Sequence, residues 1–175
     1  MADHYHALVV VPGRIVQKGK RPLVDIGAKA PLRLEWRNKP VRRAAAHPEN
    51  AGREVLWLIW PRTEKGKLAR TSQVAGFMKH PLPADAPSPG FYALGRLETV
   101  SLEEGFLELA ILPNPEGSLT EPFTLTIWAG LEVLEALPAP GAGVRIRGEL
   151  RPRSLRLVAR EAAEVPLPPT KAPVE

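Results

Sequence analysis

The stretch Gly143–Arg151, GVRIRGELR, followed by Ser154–Glu161, SLRLVARE, decides the fold of the second half of this chain. The first run alternates apolar residues with arginines: Val144, Ile146 and Leu150 against Arg145, Arg147 and Arg151. Such alternation is typical of a strand with one buried face. The two runs therefore predict a β-hairpin, in which Gly148 permits a bend or bulge.

Upstream of this hairpin lie three more strand candidates and one short amphipathic helix. The strands are Phe91–Val100, Phe106–Leu112 and Phe123–Trp128, and the helix spans Gly130–Pro138. The order strand, strand, strand, helix, strand, strand resembles the OB-fold superfamily, a five-stranded Greek-key barrel with a helix between its third and fourth strands. We therefore expect an all-β protein with an OB-like barrel over residues 91–165.

The OB resemblance also implies where a ligand binds. Such barrels commonly bind on their second and third strands, between the flanking loops. The matching positions here are Trp128, Phe106 and the loop Arg151–Ser154.

The first half, residues 1–80, is also rich in strand candidates. They are Tyr5–Val16, Arg21–Gly27, Pro31–Trp36, Glu54–Pro61 and Lys67–Phe77. A Gly-Arg pair stands near the start of each half, which suggests that the first half could be a second small barrel. A barrel of another type, or an extension packed on the second barrel, fits the same strands. The stretch Asn38–Gly52 is expected to be a long basic loop with room for one helical turn.

Charge and proline content also divide the chain. Residues 1–80 hold 16 Lys and Arg against 6 Asp and Glu, a net charge of +10, while residues 81–175 hold 8 against 13, a net charge of −5. The proline-rich residues 81–90 are read as a linker and residues 166–175 as an extended proline-rich tail. A split this large favours two modules, of which the first attracts polyanions.

Several classes of protein and site find no support in the sequence. There is no cysteine, and apolar runs such as Ala7–Val11 are too short to span a membrane. We expect a cytoplasmic protein that does not contact membranes, and the few amides and many prolines fit heat adaptation or GC-rich codon usage. His4 and His6 lack a third metal ligand, and no catalytic constellation is visible. We therefore expect no catalytic residue, cofactor or metal.

Nucleic-acid binding is the favoured function, because a single-strand site needs a positive groove and exposed aromatic side chains. RNA and DNA are not distinguished. Trp57 is read either as core or as a stacking platform, and Trp60 is similar. The expected binding residues are Arg37, Lys39, Arg42, Arg43, Trp57, Arg62, Lys65, Lys67, Trp128, Arg151 and Arg153.

The alternative is a protein-interaction or assembly module. In this hypothesis the acidic barrel docks on a protein partner, and the proline-rich tail serves as a ligand or spacer. The apolar run Leu56–Trp60 would then form part of a homo-oligomer interface.

Overall fold

This computed structural model describes residues 3–171 of the chain. Strands account for 49% of the residues and helices for 9%, so the predicted all-β class is confirmed. None of the helices within this described range has the length and apolar character needed to cross a bilayer.

The chain divides into two compact units. The first, here called the basic unit, is Leu8–Gly90 with Leu150–Arg156; the second, here called the acidic unit, comprises the remaining residues. The basic unit holds 19 Lys and Arg against 6 Asp and Glu, a net charge of +13, and the acidic unit 5 against 13, a net charge of −8. The charge asymmetry is larger than in the sequence halves because the loop Leu150–Arg156, with three arginines, belongs to the basic unit.

The basic unit contains seven strands and one α-helix. In chain order they are β1 (His6–Lys18), β2 (Arg21–Asp25), β3 (Glu35–Trp36), α1 (Lys39–Ala46), β4 (Glu54–Trp60), β5 (Thr63–Glu64), β6 (Lys67–Leu68) and β7 (Gln73–Lys79). Strand β1 pairs antiparallel with β2 and β4, β4 pairs antiparallel with β7, and β7 pairs parallel with β3. A bridge between Val24 and Leu32 joins β2 to the segment leading into β3, so the pairings form a ring.

The acidic unit is built from five strands and one short helix. These are β8 (Gly90–Ser101), β9 (Phe106–Ile111), β10 (Phe123–Ala129), α2 (Leu131–Glu135), β11 (Gly143–Arg151) and β12 (Arg156–Val165). Their pairings run β8–β9–β10–β12–β11 and return to β8, with β10 and β12 parallel. Leu109, Leu125, Ile127 and Ile146 are fully buried, as their alternation along the strands predicts.

Both rings follow the same strand order when the β5–β6 hairpin is left out, and in each ring a helix lies between the third and the fourth strand. A glycine in the first strand of each, Gly13 in β1 and Gly95 in β8, faces a backbone carbonyl of the next strand. A Cβ at Gly13 would collide with Asp25 O, and one at Gly95 with Ala110 O. The Gly-Arg pairs noted in the sequence thus occupy equivalent positions where two strands approach too closely for a side chain.

Helix α1 replaces much of the basic loop expected over Asn38–Gly52, so that expectation is wrong. The Asn38 side chain caps its start by accepting a hydrogen bond from Val41 N at 3.0 Å. At its end, Gln17 Nε2 donates to Ala45 O at 2.9 Å and Asn50 Nδ2 donates to Ala44 O at 2.7 Å. The orphan carbonyls of the last turn are therefore satisfied by residues outside the helix.

The proline-rich C-terminal segment lies on the acidic unit as far as Lys171. Tyr5 Oη donates to Pro168 O at 2.8 Å, and Thr170 Oγ1 donates to Pro113 O at 2.7 Å. Lys171 Nζ donates to Gly117 O, also at 2.7 Å. The rest of the predicted tail, residues 172–175, lies outside the described residues.

Candidate nucleic-acid interface

An open groove of about 520 Å³ lies on the basic unit, over β2, the segment leading into β3, and the start of α1. Its lining combines four cationic side chains with one carboxylate, one tryptophan and a few smaller groups. The lining residues are Arg21, Pro22, Leu23, Arg33, Leu34, Glu35, Trp36, Asn38, Lys39 and Arg42.

Strand pairing and helix geometry place these residues beside one another. In the segment before α1, Leu34 is buried and Trp36 is half-buried, whereas Arg33 and Glu35 are exposed. The backbone of Leu32 exchanges two hydrogen bonds with Val24, of 2.7 and 2.9 Å, which places this segment beside β2 and Arg21. Lys39 and Arg42 are three residues apart on α1, so they share one side of the helix.

The groove cations have no acidic partners. Within the described residues, Arg21, Arg33, Lys39 and Arg42 form no ion pair within 4 Å. Other cations of the basic unit are paired: Arg14 lies 2.7 Å from Glu54, and Lys79 lies 4.0 Å from Glu49. The groove is therefore a local concentration of uncompensated positive charge, with Glu35 as its one carboxylate.

Trp36 is the aromatic side chain of the groove. It is half-buried, and its ring lies 6.3 Å from that of Trp57. Trp57 in turn lies 5.5 Å from the ring of Phe77 in an edge-to-face arrangement. The row of rings therefore runs from the groove into the core of the basic unit.

Trp57 itself is fully buried, and its Nε1 donates to Asp25 O at 3.3 Å. A base cannot stack on a ring with no exposed surface. The stacking role considered for Trp57 is therefore wrong, and the core interpretation holds. Trp60, at the end of β4, is instead 39% exposed, and the guanidinium of Arg37 lies 4.9 Å from its ring centroid. This distance is within the range of a cation–π contact.

A second group of cations surrounds the β5–β6 hairpin. Its two-residue turn, Lys65–Gly66, has positive φ at both positions, as the hairpin geometry requires. Leu68 N donates to Leu155 O at 2.7 Å, which brings the loop containing Arg151 and Arg153 against the hairpin.

Arg62 lies just before β5, and two opposing effects act on it. Partial burial lowers the pKa of Arg62, while the Glu35 carboxylate acts in the opposite direction. Its guanidinium stays protonated at neutral pH, because arginine does not lose its charge in proteins. Glu35 thus acts on Arg62 while it also lines the groove.

The predicted binding residues fall into five places: helix α1, the Trp60 ring, the β5–β6 hairpin, the core and the acidic unit. Lys39 and Arg42 line the groove, Arg43 is exposed on the same helix, and Arg37 lies on Trp60. The hairpin group holds the predicted residues Arg62, Lys65, Lys67, Arg151 and Arg153. Trp57 is in the core, and Trp128 belongs to the acidic unit.

The binding residues expected from the sequence do not include Arg21, Arg33 or Trp36. The alternation of Pro31–Trp36 already places Arg33 on the outer face of the segment. The sequence does not show that β2 pairs with this segment.

Within residues 3–171, no three His, Asp or Glu side chains are grouped so that they could hold a metal ion. Comparison with protein-family models, curated proteins and solved structures gave no match.

Proposed function

We propose that this chain is a non-enzymatic nucleic-acid-binding protein that holds a single strand in the groove of the basic unit. The observation that carries the proposal is the set of four unpaired cations around the half-buried Trp36. Proteins that bind single strands combine a positive groove for the phosphates with aromatic side chains for the bases. The groove contains both.

The strand order supports the same conclusion. The basic unit pairs its strands in the same order as the acidic unit, over which the OB resemblance extends, and also has a helix after its third strand. In such barrels the ligand lies on the second and third strands, between the loop after the first strand and the loop before the last. The groove lies on β2 and the segment of β3, which are the second and third strands of the basic unit.

The loops that would flank the ligand are basic. The turn between β1 and β2 carries Lys18 and Lys20, both exposed. The connection between β4 and β7 carries the β5–β6 hairpin, with Lys65 and Lys67 exposed near its turn. The side chains that the OB resemblance assigns to the edges of a binding cleft therefore have the charge needed to hold phosphates.

The test compares ligand classes with the intact protein. Fluorescence anisotropy would follow labelled oligonucleotides of about 12 nucleotides, a length within the range that OB-type sites cover. Single-stranded DNA, single-stranded RNA and a DNA duplex of equal length would be titrated at about 50 and 200 mM salt. We expect binding of the single strands that weakens as salt rises. A failure of both single strands to bind at the lower salt, or a preference for the duplex, would overturn the proposal.

A further inference from the structure

The acidic unit carries an aromatic pair on the outer face of its second and third strands. Phe106 on β9 and Trp128 on β10 are direct cross-strand neighbours, with ring centroids 5.5 Å apart in an edge-to-face arrangement. Both side chains are partly exposed. They share this face with Glu108, Thr124 and Thr126.

Two exposed leucines flank this pair. Leu102, 53% exposed, lies in the turn that leads into β9, and Leu131, 55% exposed, begins α2 just after β10. A backbone hydrogen bond from Ala129 N to Gly105 O, at 3.1 Å, holds that turn beside the connection to α2. We call Leu102, Phe106, Trp128 and Leu131 the apolar patch. Clustered exposed apolar side chains of this kind mark interaction surfaces, whereas single ones do not.

Carboxylates lie on the same turn, strand and helix as the patch residues. They are Glu103 and Glu104 in the turn before β9, Glu108 on β9, and Glu132 and Glu135 on α2. In the described part of the chain none of them has a cation within 4 Å. The arginines of the acidic unit that form ion pairs do so elsewhere: Arg96 with Glu98, Arg145 with Asp3, and Arg160 with Glu149.

We infer that the apolar patch docks a segment of a protein partner in which apolar side chains alternate with lysine or arginine. The patch supplies the apolar contact, and the five unpaired carboxylates supply the complementary charge. The same carboxylates repel phosphates, so this face differs from the groove although it occupies the same position on its ring. The inference goes beyond the proposed function and does not depend on it.

The experiment uses the full chain and defined peptides. A labelled peptide of about 12 residues that alternates leucine and lysine would be titrated by anisotropy, beside the same peptide with glutamate in place of lysine. We expect the lysine peptide to bind and the glutamate peptide not to bind. Because the basic unit repels the lysine peptide, binding to it reports on the acidic unit. The double variant Leu102→Ser with Leu131→Ser should weaken this binding by about tenfold or more, because it removes the two exposed leucines of the patch.

Leu167→Ser is the matched control, because Leu167 is an exposed leucine of the same unit, 47% exposed, outside the patch. The affinity of this variant for the lysine peptide should stay within about twofold of the wild-type affinity, since contacts outside the patch are near neutral. Equal binding by the double variant and the wild type, or no binding of the lysine peptide, would overturn the inference. Self-association of the wild type that the double variant abolishes would assign the patch to a second copy of this chain instead. Oligonucleotide binding that depends on the patch would also overturn it.

Discussion

Replacing Arg33 by alanine should weaken single-strand binding and reduce its dependence on salt. Arg33 lines the groove, is exposed and forms no ion pair with any residue of the described range, so it is available to a phosphate. Its removal is not expected to unfold the basic unit, because the alternating neighbours Leu32 and Leu34 provide the inward contacts of this segment.

The magnitude follows from counterion release. Each phosphate that a protein neutralises on a single strand contributes about 0.7 to the slope of log K against log salt concentration. At about 0.1 M salt this corresponds to about fivefold in affinity for each cation. Removal of all four groove cations, Arg21, Arg33, Lys39 and Arg42, should therefore lower the slope by about 2.8 and the affinity by several hundredfold, on the order of 600-fold.

The assay is the same anisotropy titration, repeated at several salt concentrations for the wild type, Arg33→Ala and the fourfold alanine variant. Arg14→Ala is the control, because Arg14 is an exposed arginine of the same unit whose charge is already paired with Glu54 at 2.7 Å. It should change the affinity by less than about twofold, since an ion pair at the surface leaves little charge for a phosphate. If Arg14→Ala costs as much as Arg33→Ala, binding follows the net charge of the unit and not the groove. An unchanged slope of log K against log salt concentration in the fourfold alanine variant would contradict the prediction.

Three further predictions concern stability. Trp57→Ala should lower the free energy of unfolding by about 3–5 kcal/mol, measured by chemical denaturation, because it empties the centre of the core; a loss below about 1 kcal/mol would contradict the burial. Gly95→Ala should lower the free energy of unfolding by about 1–3 kcal/mol, because its Cβ meets Ala110 O. Gly76→Ala, in open space on β7, should leave that free energy unchanged or raise it slightly. Equal effects of the two substitutions would contradict the close approach at Gly95. Burial lowers the pKa of His6 below its ordinary value of 6.5, so the unfolded chain binds that proton more readily than the folded one. His6 therefore does not lower the free energy of unfolding above about pH 6.5, and lowers it progressively as the pH falls from there through the lower pKa of the folded state, so His6→Gln should flatten this part of the pH profile.

The strands of the acidic unit could be predicted because their signal is local. In Phe106–Leu109 the residues alternate between a buried and a more exposed face, and the structure places β9 at Phe106–Ile111. The same alternation identifies β10. An alternation with a period of two can be read from one strand alone, so the strand can be predicted without knowing which strands pair with it.

Trp57 shows where local patterns fail. Leu56, Trp57 and Ile59 are all buried, so β4 is covered on both faces for most of its length. With apolar residues on both faces, alternation cannot tell which tryptophan reaches solvent. That depends on β1 and β7, which pair with β4 on either side.

Only some of the residues that line the groove could be predicted, for a similar reason. Lys39 and Arg42 belong to a visibly basic stretch, but the helix that aligns them is capped by Gln17 and Asn50 from outside it. Arg33 meets Arg21 because Leu32 pairs with Val24, a contact that closes the ring of strands. The composition of the two segments does not reveal a pairing of this kind.

The most direct test of the central claim is to map where an oligonucleotide contacts the protein. Backbone amide NMR shifts of the full chain would be recorded while a single strand of about 12 nucleotides is added at about 50 mM salt. We expect the largest shifts on β2, on the segment from Leu32 to Arg37 and in the first turn of α1, with smaller ones in the β5–β6 hairpin. Shifts confined to β9 and β10 of the acidic unit, or no shifts at all, would contradict the assignment of the groove.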